Sequence, residues 1–195
     1  MWDEKYSVDE YVYGREPNEF LVAMSDRLKK GRVLCLAEGE GRNAVYLARQ
    51  GFAVTAVDSS SVGLAKADKL AQEFGVTIQA VTADLADYTI EEGTWDSIIS
   101  IYCHMHHDLR KRLHRDVVAG IKQGGTFLLE AYTPKQLEFK TGGPLSVEYL
   151  MELASLKDEL DGLEFIHGQE LVRDVVEGIS HTGKGSVVQV LARKN

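Results

Sequence analysis

Residues 31–58, GRVLCLAEGEGRNAVYLARQGFAVTAVD, constrain the fold more than any other stretch of this chain. An apolar run at 32–36 reads as a strand, and 43–50 reads as a helix. A second apolar run then ends on Asp58. Gly39 and Gly41 stand between strand and helix, where a missing Cβ permits a tight turn and close approach of a ligand. The helix after such a turn offers unpaired N–H groups and the positive end of its dipole. Asp58, 17 residues beyond Gly41, stands at the tip of the second strand, where a carboxylate can accept from both hydroxyls of a ribose. The unit predicts a nucleotide-type site at the carboxyl ends of parallel strands.

The alternation continues downstream. Ser59 or Ser60 caps a helix over 60–74 that Gly75 stops. Strands are expected at 76–82, 96–101 and 126–132, with a charged helix over 107–122. A helix is expected at 146–156 with Glu148 and Glu152 outward. Runs at 163–176 and 186–193, joined by EGISHTGKG, suggest an antiparallel hairpin. The fold class is therefore α/β: one doubly wound, mostly parallel, Rossmann-like sheet with an antiparallel C-terminal edge hairpin. Residues 1–195 read as a single domain. Upstream, Pro17 suits the first turn of a helix whose Phe20, Leu21, Met24 and Leu28 face the core.

Composition excludes several classes. A net charge of −8 argues against a nucleic-acid or anionic-membrane surface, which needs clustered Lys and Arg. No 18-residue apolar run or signal-peptide pattern is present. Cys35 and Cys103 sit in apolar strand patterns and read as buried thiols in a reduced, cytoplasmic setting. Either a monomer or a homodimer is compatible with the sequence.

Two cofactors fit the turn. Gly39-x-Gly41-x-x-Ala44 matches the dinucleotide fingerprint, and Asp58 matches its later acid. Glu38-x-x-Gly41 and its surroundings instead resemble the E/D-x-G-x-G turn of class I S-adenosylmethionine-dependent methyltransferases. The run LAEGEGRNAVYLA, TGGP at 141–144 and EGISHTGKGSVVQV at 177–190 are similar to the small bacterial tellurite-resistance and thiopurine methyltransferases. Alanine stands at position 37, where that family has its first glycine. The resemblance implies S-adenosylmethionine held by Tyr13, Ala37, Glu38, Gly39, Gly41, Asn43, Asp58 and Ser59. It places Asp84 at the adenine amino group, Leu85 against the ring and Tyr102 at the ligand-facing exit of the fourth strand. Glu38 is preferred over Arg15 and Arg42 as the partner of the methionyl end. Residues 1–16, with Trp2, Tyr6, Tyr11, Tyr13 and Gly14, are either an arm packed on the domain or a flap over the cofactor.

Methyl transfer from a sulfonium needs alignment and exclusion of water more than side-chain chemistry. The implied acceptor is a small molecule of the thiol, thiopurine or chalcogen oxyanion class. In CHMHHDLR (103–110), His104 and His107 are the acid/base candidates, because imidazole titrates near neutrality. The H-x-H-H spacing points neighbours in different directions, so no metal is expected. Tyr132, Gly142 and His181 are the expected substrate contacts. An NAD-dependent oxidoreductase explains the turn but gives Asp84 and the hairpin no role. A cofactor-binding module without catalysis is the third reading.

Overall fold

The computed structural model describes residues 1–178 and 181–195, and of His181 the backbone only. Its sheet has seven strands among these residues: β1 (Arg32–Leu36), β2 (Ala53–Asp58), β3 (Gln79–Thr82), β4 (Trp95–Ile101), β5 (Ile121–Tyr132), β6 (Glu164–Glu177) and β7 (His181–Arg193). Their order is β3-β2-β1-β4-β5-β7-β6. The first five run parallel, while β7 is antiparallel to both β5 and β6. The expected doubly wound sheet with its edge hairpin is thus observed.

The helices are α1 (Trp2–Tyr6), α2 (Glu19–Met24), α3 (Arg42–Arg49), α4 (Ser61–Glu73), α5 (His107–Gly120), α6 (Gln136–Phe139) and α7 (Leu153–Glu159). Successive β1 side chains point to opposite faces of the sheet. Val33 and Cys35 join Leu47, Leu70 and Ile99 in one apolar layer. Leu34 and Leu36 join Leu113, Val117 and Phe127 in the other. Both faces are covered, which is why the central strands are apolar throughout. Strand order reverses between β1 and β4, and ligands of such sheets bind in the crevice at that point.

Local signals hold where they are self-contained. The Ser60 side chain accepts from Gly63 N at 3.0 Å at the start of α4. Pro17, expected in the first turn of α2, stands one residue before its cap, Asn18, whose side chain accepts from Leu21 N at 3.0 Å. Helix α5 stops at Gly120, and β5 already begins at Ile121. The helix expected at 146–156 is displaced and begins only at Leu153. A 3-10 turn at Val147–Tyr149 leads into extended backbone, and Met151 N donates to Tyr132 O at 3.0 Å. Leu150 and Met151 are buried there, and α7 starts only at Leu153. The carbonyl at the end of β5 wins this segment, and nothing in the local periodicity announces it. The N-terminal arm carries α1.

Candidate active site

The turn after β1 is left-handed at Ala37 (φ +49°), Gly39 (+63°) and Gly41 (+88°). An alanine in that region costs about 1 kcal/mol relative to glycine. Glu38 N donates to Val57 O at 3.1 Å. The Asp58 carboxylate then fastens two loops together. Its Oδ2 accepts from Gly39 N at 2.8 Å and its Oδ1 from Ser60 N at 2.8 Å. Burial raises the Asp58 pKa from its ordinary value.

The two glycines serve packing, contrary to the expectation that they admit a ligand. A Cβ at Gly39 would lie 2.6 Å from the Tyr6 hydroxyl, and one at Gly41 would lie 2.4 Å from Ala67 Cβ on α4. Neither glycine lines the cavity.

Glu38 carries the feature that distinguishes the cofactors. Its Oε1 accepts from Asn43 N at 3.0 Å and from Ala44 N at 2.8 Å. These are the first-turn amides of α3, the anion site that a dinucleotide's pyrophosphate uses. Here the chain's own carboxylate fills it. Burial pushes the Glu38 carboxyl up to about 7, against the pull of those amides and of Arg42.

A cavity of about 500 Å³ opens over the strand tips, within the ~300–1,000 Å³ typical of small-ligand sites. Ala37, Glu38 and Asn43 line it from the turn, and Asp58 and Ser59 from the end of β2. Asp84 and Leu85 line it after β3, Tyr102 and His104 after β4, and Gly142 from the loop after β5. The arm closes the other side with Trp2, Lys5, Tyr6, Tyr13 and Gly14. It is held there by Glu40, whose Oε2 accepts from Val12 N at 2.8 Å and Tyr13 N at 3.4 Å. Lys66 Nζ reaches Glu40 Oε1 at 2.8 Å. Gly178 packs so close that a Cβ there would lie 2.3 Å from Val12 O.

Several expected residues stand elsewhere. Tyr132 is buried beneath the site, its ring stacked 5.7 Å from that of His104 and 4.8 Å from that of Tyr102, and it does not line the cavity. The His181 side chain lies outside the described residues. Arg15 pairs with Glu73 on the surface, and Arg42 pairs with Glu177 at 2.6 Å. His107 lies outside the cavity, 3.1 Å from Asp108. The spacing argument against clustering fails here, since donor atoms of His106, His107 and Asp108 lie within 4.8 Å of one another, although Asp108 is exposed. The helix start bends back what an extended chain would spread apart.

His104 has no nitrogen left for acid/base work. Nδ1 sits 3.0 Å from Tyr149 O, and Nε2 accepts from Tyr132 N at 3.4 Å. Burial pushes its pKa down to about 4, so the ring is neutral at physiological pH. Cys103, at the cavity wall, is held as a thiol by burial that pushes its pKa up to about 12.

Sequence reasoning missed the buried polar network behind the site. Glu130, fully buried on β5, receives Asn18 Nδ2 at 2.9 Å, the Tyr102 hydroxyl at 2.8 Å, Arg173 at 2.6 Å and the Gln189 amide. Glu177 adds bonds from Asn18 at 2.8 Å and from Arg42. The available signal was a lone acid inside the apolar run FLLEAY.

Residues 33–125 match the family described as "Methyltransferase domain". No curated protein matches the sequence. A solved structure described as "Conversion of a Disulfide Bond into a Thioacetal Group during Echinomycin Biosynthesis" superposes with TM-score 0.80 at 20% identity, covering 100% of this chain and 91% of that one. TehB from Haemophilus influenzae gives TM-score 0.76 at 20% identity, over 100% of this chain and 66% of its own. A SAM-dependent methyltransferase from Methanosarcina mazei gives 0.67 at 14% identity, over 92% and 98%. Residues 33–125 therefore match a methyltransferase domain, and the whole chain shares the fold of these solved structures.

Proposed function

We propose that the protein transfers the methyl group of S-adenosylmethionine to a small, soft nucleophile: a thiol, a thiopurine or a chalcogen oxyanion. The observation that carries the choice of cofactor is Glu38 across the amides of α3. A phosphate-bearing dinucleotide would meet a carboxylate at its binding point, whereas a cationic sulfonium nucleotide with an ammonium group is attracted to it.

The residues present fit that cofactor. Asp58 spends one lone pair per oxygen on Gly39 and Ser60, which leaves one on each for a ribose hydroxyl. Ser59 lies beside it at the cavity wall. Asp84 takes the adenine amino group and Leu85 the ring face. Glu38 takes the methionyl ammonium, with Ala37, Asn43, Tyr13 and Tyr102 around that end. Gly39 and Gly41 keep the turn seated without touching the ligand. The arm, residues 1–16, is the flap. Bound cofactor supplies a methyl group already activated on sulfur. The chain orients it, excludes water and needs no proton acceptor for a soft nucleophile.

His104 and His107 consequently have no acid/base role in this reading, and Gly142 is the remaining acceptor-side contact with the described geometry. Support for the thiol class comes from a solved structure of the same fold that is described by the conversion of a disulfide bond into a thioacetal group. The two buried free cysteines suit a cytoplasmic protein. No helix among the described residues is long and apolar enough to cross a membrane.

Calorimetric titration with S-adenosylmethionine, S-adenosylhomocysteine and NADH tests the cofactor, and release of S-adenosylhomocysteine across a panel of acceptors tests the reaction. Binding of the two sulfur nucleotides alone, with turnover on thiols or chalcogen oxyanions, is expected. Binding without turnover on any acceptor would favour a non-catalytic module, and NADH binding would favour the oxidoreductase.

The Glu38 carboxyl also makes a pH prediction. At pH 6 it is largely protonated and neutral, and by pH 8 it is charged. Affinity for S-adenosylmethionine is therefore expected to rise about tenfold between pH 6 and pH 8, with proton release on binding below pH 7. Glu38→Gln should flatten that profile. A wild-type profile that is already flat would remove Glu38 from the cofactor's charged end.

A further inference from the structure

An amino-acid end carries two charges, and the turn answers only one of them. Glu38 meets the ammonium; the carboxylate needs a cation. The cationic side chains around the cavity are mostly committed. Arg42 is paired with Glu177 at 2.6 Å, and Lys66 with Glu40 at 2.8 Å. Arg15 is outside, with Glu73. Lys5 of α1 lines the cavity and has no carboxylate partner among the described residues. Its Nζ lies 2.5 Å from the Tyr13 hydroxyl, over the Trp2 and Tyr13 rings at 5.1 and 4.7 Å. Tyr13 is seated above the turn that carries Glu38, because its amide donates to Glu40 of the same turn. A cation and a phenol thus stand together on the arm, in the wall of the cavity that Glu38 also lines.

We propose that Lys5 and the Tyr13 hydroxyl bind the carboxylate of the cofactor's amino-acid end, which rests on the reading of S-adenosylmethionine as donor. The arm then closes on a nucleoside only when that end is attached. A charge-assisted bond to carboxylate is among the stronger single contacts a ligand can lose. The cation needs the long unbranched stem of lysine to cross from α1 to Tyr13, and arginine preserves both charge and reach.

The test compares S-adenosylmethionine with 5′-methylthioadenosine, which keeps the nucleoside and lacks the amino-acid end. Lys5→Met is expected to weaken S-adenosylmethionine about tenfold and to leave 5′-methylthioadenosine unchanged, while Lys5→Arg stays within about threefold of wild type. The Lys5 side chain is exposed, so an unchanged melting temperature is the folding control. Equal losses for both nucleosides would overturn the proposal and make Lys5 a prop for the arm. Unchanged cofactor affinity with a raised KM for an anionic acceptor would overturn it too, moving Lys5 to the acceptor. Failure of wild type to bind either nucleoside would defeat the cofactor reading itself, a result distinct from both.

Discussion

Glu130→Ala is expected to lower the free energy of unfolding by about 3–5 kcal/mol, the range for removing one partner of a buried ion pair. The carboxylate is fully buried and holds Arg173, Asn18, Tyr102 and Gln189 together. Alanine leaves the Arg173 guanidinium with Glu177 at 3.3 Å as its remaining buried carboxylate. It also removes one acceptor from the Asn18 amide and one from the Tyr102 hydroxyl. Glu130→Gln keeps an acceptor oxygen but loses the charge, and a smaller loss of about 1–3 kcal/mol is expected. Urea unfolding followed by circular dichroism measures both. A loss below about 1 kcal/mol for alanine would mean that water enters and solvates Arg173.

Asp58→Ala should weaken S-adenosylmethionine about a hundredfold, or about 2.8 kcal/mol at 1.4 kcal/mol per decade. Two losses combine. The ribose loses its acceptor, and the amides of Gly39 and Ser60 lose theirs, so the turn and the start of α4 drift apart. Asp58→Asn retains one acceptor oxygen and should fall between wild type and alanine. Calorimetry reads the affinity, and thermal melting separates the ligand effect from loosening of the turn. Unchanged affinity in the alanine variant would take Asp58 out of the ribose site.

Legibility of the sequence followed the range of the interactions. The β1–turn–α3–β2 unit could be read because each part depends on neighbours within a few residues: apolar runs, turn glycines and the Ser60 cap. The role of Glu38 was half legible. A carboxylate five and six residues ahead of free helix amides is a local signal, yet the resemblance directed attention to the ligand. Gly39 and Gly41 were read correctly as turn residues, but their tight partners, Tyr6 and Ala67, lie far along the chain. The Glu130 network was not legible, since Asn18 and Gln189 are 112 and 59 residues away. For the same reason His104 looked like a base. Its burial and its bonds to Tyr149 and Tyr132 come from tertiary packing that no spacing rule contains.

The seating of the arm on Gly178 and of Asn18 on Glu177 has a bearing on how the protein is made. Asn18 and Glu177 are 159 residues apart, so this contact joins chain synthesised early to chain synthesised late. The β1–β2 unit can pair and Glu40 can engage the arm while the ribosome is still working, but the part of the seat that Gly178 provides is missing until β6 is out. Contacts of such separation form slowly, because the loop must close before they can stabilise anything. Until then the aromatic side chains of residues 1–16 are exposed to whatever else is folding nearby. The mouth of the cavity is thus completed late in synthesis, after the parallel half of the sheet.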